Sequence, residues 1–371
     1  MMQPMRRLLL LSVVLACDVI PPRAMTGDSG TLCASAAQAW PEADALFQHD
    51  PTWLGADAAY SVDLGKARVL WLFGDTFIAR GAARQRSDAY FIRNSVAIQS
   101  GSYDPSAASA KFAWKTGGAG PSSYVPENGT SWHWPAGGVR LATRLVLFWT
   151  VVHAASNALG FEAAGPRVVS VASPDGDPSS WALTDVAFPT PPFPVTLLAP
   201  MVSGTYVYVY AIRDPGDHRV YVARVPLKGA ELGDFSGATW YTPDRGWQGV
   251  PNLSGEPAVV FPGSGTDDPT ELSVQEQKNG TFVAMQSVGF GATQLALRTA
   301  PAPEGPWTAP CTVFQPSESS AKDAFVYAGK GHPGLLGADL VATYVANSFD
   351  GTKVLTDMSL YFPRFVKVTA P

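Results

Sequence analysis

The chain has 371 residues, 46% of them hydrophobic and only 15% charged, with a formal net charge of −5; a disordered polyelectrolyte is excluded and a sizeable core can be buried. No run of Lys or Arg follows the first residues, so nothing advertises a nucleic-acid partner. With 35 Gly, 32 Pro and an aromatic share of 11%, the composition favours many short strands joined by turns over helices.

The chain opens on MMQPMRRLLLLSVVLACD, a positive segment followed by a short apolar run, which reads as an export signal within residues 1–24 and is too short for an ordinary membrane span. Ala16-Cys17 at the end of that run resembles a lipoprotein cleavage site, which would leave an acylated Cys17 as the only membrane attachment. Cleavage near Ala24 with release into the medium is the competing reading. Residues 25–50 read as a tether and an approach to the first strand, and residues 51–371 as a single domain. Cys33 and Cys311 either bridge in an oxidising compartment or are two small buried residues. No CxxC or His-rich spacing points to zinc.

From Trp53 to Phe77 the sequence WLGADAAYSVDLGKARVLWLFGDTF reads as a hairpin with arms Ala56–Asp63 and Arg68–Phe77 and a turn at Leu64-Gly65-Lys66-Ala67. A turn centred on Lys66 places Asp57 opposite Asp75, with β-carbons about 4.5–5.5 Å apart; a turn one residue shorter sets Asp57 opposite Gly74. A facing carboxylate pair repels, so one of the two is expected to hold its proton, as glycoside chemistry requires.

A strand rhythm then repeats. The first unit continues with Phe91–Ser100 and Lys111–Lys115. The second offers Gly138–Ala142, Arg144–Val152, Arg167–Ala172 and Trp181–Phe188, and the third Val195–Val202, Tyr206–Ile212, Arg219–Val225 and Thr239–Thr242. The fourth offers Glu271–Gln277, Thr281–Val288, Gln294–Thr299 and Thr308–Phe314, and the fifth Phe325–Ala328, Asp339–Val345 and Met358–Val368. Four-stranded antiparallel units at this spacing predict an all-β, five-bladed β-propeller, its last blade completed by an N-terminal segment. A β-sandwich is the alternative, and it would leave these meanders without edge protection.

In a propeller the start of each first strand and the end of each second strand converge on one mouth. That rule gathers Asp57, Asp75, Trp132, His133, Trp134, His153, Arg213, Asp214, Glu271, Ser287, His332 and Asn347. Acids, histidines and tryptophans together suit a sugar, whose C–H face packs on aromatic rings while its hydroxyls bond polar groups.

The runs GADAAYSVDL, LWLFGDTF, IRNSVAIQ, WHWPAGG, ELSVQEQ…GTFVAMQ, EGPW and HPGLL…LVATYVANS resemble the bacterial group named domain of unknown function 4185, which includes endo-D-arabinanases. That group is similar in architecture to five-bladed glycoside hydrolases such as arabinanases and fructan-cleaving enzymes. The resemblance covers nearly the whole mature chain and implies a five-bladed propeller with two catalytic aspartates, carried here onto Asp57 of GAD and Asp75 of FGDT.

Each candidate has a plainer alternative. Asp57 and Asp75 could bond nearby backbone or Arg93 without doing chemistry. Glu271 is the best third acid, or else a solvated strand opener. Arg93 and Asn94 orient a carboxylate or a sugar hydroxyl, or form a surface turn. Trp132, His133, Trp134, His332 and Asn347 contact sugar, or belong to the framework. Trp307 of EGPW reads as structural. Asp267 and Asp268 sit in a Gly-rich loop that could touch calcium, although a solvated turn is the simpler reading; no metal site or cofactor is expected. The expected function is an exported, monomeric glycoside hydrolase on a furanoside-rich polysaccharide such as an arabinan. Retention goes with carboxyls about 5–5.5 Å apart and inversion with about 6.5 Å or more. The alternatives are a surface propeller that binds glycans without cleaving them, and an envelope scaffold that binds none.

Overall fold

The computed structural model describes residues 36–262, 269–289 and 294–369. The segment read as an export signal, Cys17, Cys33 and the acidic loop with Asp267 and Asp268 lie outside the described residues. Cys311 is disulfide-bonded.

Of the seven sheets among the described residues, five antiparallel ones of four or five strands follow one another along the chain. The first holds Tyr60–Gly65, Arg68–Phe73, Ser95–Ser100 and Ser109–Ala113, and the second Ser131–Arg140, Leu145–Ala154, Phe161–Val171 and Thr184–Val186. The third runs from Thr196–Ser203 through Tyr206–Ile212, Val220–Pro226 and Thr239–Thr242 to an unexpected fifth strand, Gly246–Gly249. The fourth holds Leu272–Glu276, Phe282–Val288, Gln294–Ala300 and Cys311–Phe314. The fifth consists of Ala324–Gly331, Leu340–Ser348 and Pro363–Val368, and Ala37–Ala39 pairs along Pro363–Val368 as its fourth strand.

First strands of successive sheets pack side by side: Tyr60–Gly65 on Ser131–Arg140, that strand on Thr196–Ser203, then Leu272–Glu276, then Ala324–Gly331. Apolar clusters fill the spaces between sheets. One joins the first and second sheets through Leu70, Leu72, Leu147 and Trp149, and another joins the fourth and fifth through Met285, Leu295, Val326 and Ala342. The inner strands that supply them, such as Arg68–Phe73 and Leu145–Ala154, are near-continuous apolar runs, as strands packed on both faces are.

Within the span read as tether and approach, Pro41–Gln48 is a helix that starts on Pro41, where a missing N–H costs nothing. Its Phe47 is fully buried against Trp71 (ring centroids 4.9 Å), Phe73 (5.4 Å) and Phe365 (5.3 Å). The Asp44 carboxylate accepts the Phe365 N–H at 2.7 Å, so this helix fastens the first sheet to the fifth.

Two boundaries differ from expectation. The second sheet begins at Ser131, not Gly138, because a bulge between Pro135 and Gly137 absorbs the residues that read as strand breakers. The long hairpin of the first unit is not continuous. Tyr60–Gly65 and Arg68–Phe73 pair as read, but Asp57–Ala59 and Gly74-Asp75 leave the ladder, and Trp53–Ala56 pairs instead with Thr76–Ala79 in a small sheet that also includes Ala89–Ile92. Arg86 anchors that small sheet: it is buried and donates to the carbonyls of Leu54 (2.7 Å), Val354 (2.9 Å) and Asp357 (3.0 Å).

Candidate active site

The register that aligns the two aspartates is set at the far end of the hairpin. Lys66 and Ala67 both take positive φ (57° and 53°), as the two central residues of a type I′ turn do. The ladder then shifts between Gly65 and Asp63, and from Asp63↔Val69 to Tyr60↔Leu72 the partner numbers follow the expected alignment. It resumes beyond the break at Ala56↔Thr76, so Asp57 and Asp75 fall opposite each other in the gap between two ladders. Ala58 and Ala59 adopt φ of 65° and 60°, unusual for alanine, and this turns the chain so that the Asp57 carbonyl accepts both Ala59 N–H (3.0 Å) and Gly74 N–H (3.2 Å). A Cβ at Gly74 would stand 2.3 Å from Asp57 Oδ1, so a side chain there displaces the carboxylate.

The two carboxylates have different partners. Asp57 Oδ2 accepts the hydroxyls of Tyr327 (2.7 Å) and Tyr361 (3.2 Å) from the fifth sheet and the segment leading into its third strand. Burial, then the charge of Asp75, then that of Glu271 raise Asp57 to about 7 against the lowering effect of those hydroxyls. Asp75 Oδ2 pairs with Arg93 Nη1 (3.2 Å) and its Oδ1 accepts the Trp134 indole N–H (2.9 Å). Burial raises Asp75 as well, but Arg93 and the Trp134 hydrogen bond pull it back toward the ionised form, and Glu127 opposes them. Both carboxylates are packed by protein on several sides yet keep a partly exposed face.

Glu271 makes an ion pair with Lys330 Nζ at 2.8 Å. Lys330 is wholly buried; it also donates to the carbonyls of Ala328 (2.7 Å) and Ala58, and lies 4.5 Å from the Tyr60 ring centre. Burial lowers its proton affinity, and Glu271 offsets that only in part. The ammonium therefore ties the Asp57 turn to the fourth and fifth sheets. Its strand can approach so closely because Gly329 and Gly331 flank it, their N–H groups donating to Ser287 Oγ and Ser273 Oγ at 2.7 Å each.

Of the residues expected at the mouth, Asp57, Asp75, Arg93, Trp132, Trp134, Glu271 and Asn347 are brought together. Arg93 lies over the Trp132 ring at 4.2 Å, Trp132 meets Trp134 edge-on at 6.1 Å, and Asn347 Nδ2 reaches the Tyr327 hydroxyl at 3.4 Å. Three others are drawn into the framework. Asn94 is fully buried and its amide bonds Val125 and His133 backbone. His332 is buried between Ser61 Oγ (2.9 Å) and Thr343 Oγ1 (2.8 Å) with its ring against Trp71, and burial keeps it neutral. His133 is buried as well, and burial with Arg167 lowers it to about 4. Elsewhere, His153 pairs with Glu162, Arg213 with Glu256, and Asp214 lies near His218.

Sequence reading passed over Tyr327, Tyr361, Lys330 and Glu127. For Lys330 there was a signal: a lysine between two glycines in the apolar run AFVYAGKG, where a charge needs a buried partner. The tyrosines carried none, since they lie roughly 300 residues from the aspartate they hold. Among the described residues no group of three or more His, Cys, Asp or Glu is placed to hold a metal ion, and no helix is long and apolar enough to cross a membrane.

The fold is shared with a hydrolase candidate from Bacteroides ovatus ATCC 8483, at a TM-score of 0.71 and 16% identity over 93% of each chain. An endo-arabinase from Bacteroides thetaiotaomicron VPI-5482 aligns at a TM-score of 0.47 and 14% identity, over 85% of this chain and 95% of that one. The catalytic domain of a Coprinopsis cinerea GH62 α-L-arabinofuranosidase aligns at 0.47 and 12%, over 85% and 90%. No curated protein matches by sequence. The family model described as domain of unknown function (DUF5005) matches residues 42–370, which corrects the resemblance to domain of unknown function 4185.

Proposed function

We propose that this chain, which belongs to the family described as domain of unknown function (DUF5005), is a glycoside hydrolase in which Asp57 is the proton donor and Asp75 the base or nucleophile. The observation that carries this reading is the contrast between the partners of two facing carboxylates. Asp57 rises to about 7 among tyrosine hydroxyls, whereas Asp75 is held by a guanidinium and an indole N–H. Burial raises both; Asp57 then holds a proton that it can give to the glycosidic oxygen, while Arg93 and the Trp134 N–H favour the ionised form of Asp75, which attacks the anomeric carbon or takes a proton from water. Glu271, held by Lys330, adds negative charge behind Asp57 and strengthens its grip on the proton.

The same reading extends to architecture, place and substrate. The five sheets are the blades of a closed propeller whose hub carries the acids; side chains of Ala324–Gly331 that reach Asp57 and Ala58 support closure between last and first. The leader within residues 1–24 exports the chain, which works as a monomer without a cofactor. The substrate is a furanoside-rich polysaccharide, an arabinan cleaved in endo-D-arabinanase fashion. In this reading Arg93 and Trp134, which hold Asp75, and Asn347, beside Tyr327, contact the glycan.

The test is incubation with mycobacterial arabinogalactan and plant arabinan, followed by chromatography of released oligosaccharides. Asp57→Asn and Asp75→Asn should each lower kcat by about 10²–10⁴-fold with glycan binding retained. Binding without release by the wild type, across a broad furanoside panel, would mean a lectin instead.

A further inference from the structure

Left-handed backbone gathers around Asp57. Ala58 and Ala59 follow it with φ of 65° and 60°, Ala328 follows Tyr327 with 59°, and Tyr361 itself has 63°. A residue that carries a Cβ adopts this conformation at a cost, and keeps it only where its surroundings hold it there. Two of the four are held by one ammonium. Lys330 Nζ donates to the carbonyl of Ala58 and to that of Ala328 (2.7 Å), while Glu271 matches its charge at 2.8 Å. The two carbonyls flank a single hydrogen bond: Ala58 is next to Asp57, and Ala328 is next to Tyr327, whose hydroxyl donates to Asp57 Oδ2 at 2.7 Å. The ladder to the neighbouring strand shifts between Tyr327 and Lys330, so Ala328 and Gly329 stand outside its regular pairing.

Lys330 is 0% exposed, so its ammonium cannot touch a glycan, and a carboxylate already balances it. What is left to it is placement. We propose that Lys330 is a positioning residue: by holding the carbonyls of Ala58 and Ala328 it keeps the Asp57 carboxylate and the Tyr327 hydroxyl in contact. Without that hold, each alanine is free to relax toward negative φ, which turns Asp57 on one side and Tyr327 on the other. This rests on the hydrolase reading for what the placement serves, but not for the placement itself.

Removing the ion pair as a neutral unit separates placement from charge. Lys330→Met combined with Glu271→Gln leaves the net charge beside Asp57 unchanged but releases both carbonyls. In protein with carbon-13 at tyrosine Cζ, the Tyr327 signal, identified by its absence in Tyr327→Phe, should step near pH 7 as Asp57 takes up its proton, and Asp57→Asn should abolish the step. The paired variant should lose the step, and its kcat on arabinan should fall about 100-fold with KM little changed. Adding Ala58→Gly and Ala328→Gly, which accept positive φ without a Cβ, should return the step and about a tenth of the wild-type kcat. A step retained in the paired variant, at whatever midpoint, overturns the proposal, as does a fourfold variant without one. Should the paired variant fail to fold, the fourfold variant decides alone: a step upholds the placement, and its absence, folded or not, overturns it. A wild type that releases no oligosaccharide removes the hydrolase reading only, because the step needs no substrate.

Discussion

Asp57 and Asp75 stand on two walls of one mouth, and the walls differ in kind. The fifth-sheet wall is neutral where it touches Asp57, with two tyrosine hydroxyls and, behind the backbone turn, an ammonium already matched to Glu271. The wall around Asp75 is cationic and donor-rich, with Arg93 and the Trp134 N–H. Two identical side chains at facing positions therefore sit in different electrostatic surroundings because of partners that lie elsewhere in the chain, and the hairpin supplies only the meeting point.

The sharpest way to break that comparison is to move one carboxylate without changing either wall. Gly74→Ala places a methyl group where only 2.3 Å separates it from Asp57 Oδ1, so the carboxylate must leave its tyrosines or the strands must part. A displacement of about 1 Å in a catalytic group can cost about 100-fold, and we expect at least that loss in kcat with an unchanged far-UV spectrum. Gly65→Asn is the control. Gly65 has a φ of +80° and nothing within 4 Å of its would-be Cβ, so the change perturbs the turn but not the acids. Retained activity in Gly74→Ala would remove Asp57 from the mechanism.

A second test uses stability. Asp57 binds its proton more tightly folded than unfolded, since its affinity rises from 3.8 to about 7. Its stabilising contribution is thus complete below about pH 4 and is lost as pH climbs to about 7. Asn cannot ionise yet still accepts the tyrosine hydroxyls. Asp57→Asn should match the wild type near pH 4 and exceed it by about 1–3 kcal/mol at pH 7.5, discounted for the partly exposed carboxylate. Urea melts at both pH values check this; a variant less stable at pH 7.5 would mean that the tyrosine hydroxyls outweigh burial and the neighbouring acids, so that the charged form is favoured. The same trend, added by Asp44 at about 6, appears as a background that Asp57→Asn leaves in place.

How much of this was legible beforehand follows from distance along the chain. The alignment of Asp57 with Asp75, the strand pairing through Trp71↔Ser61, and the N-terminal strand of the fifth sheet were all readable, because alternation and turn chemistry are local or pairwise regular. The break in the hairpin was not, since DAA and GD carry no conventional breaker except one glycine. Asn94 and His332 looked like mouth residues because a polar side chain at a strand end reads alike whether it faces solvent or a buried network. Only packing shows that Asn94 serves Val125 and His133, and that His332 bridges Ser61 and Thr343. Tyr327 and Tyr361 became visible only when the fifth sheet was set beside the first.

The smallest effect separates the walls one at a time. Tyr327→Phe removes a hydrogen bond to the charged form of Asp57, so its proton affinity rises and the alkaline limb of the pH–rate profile moves up. Arg93→Gln removes the cation that favours charged Asp75, so the affinity there also rises, but it is the acid limb that moves up, because the proposed mechanism uses Asp75 ionised. Each shift should be about half a pH unit to one unit, which is about three- to tenfold in rate on the affected limb and little at the optimum. Because the pair titrates together, each variant also nudges the other limb in the same direction, by less. If Tyr327→Phe moves the acid limb and Arg93→Gln the alkaline one, the roles are exchanged. If neither variant moves a limb, the pH dependence does not come from this pair.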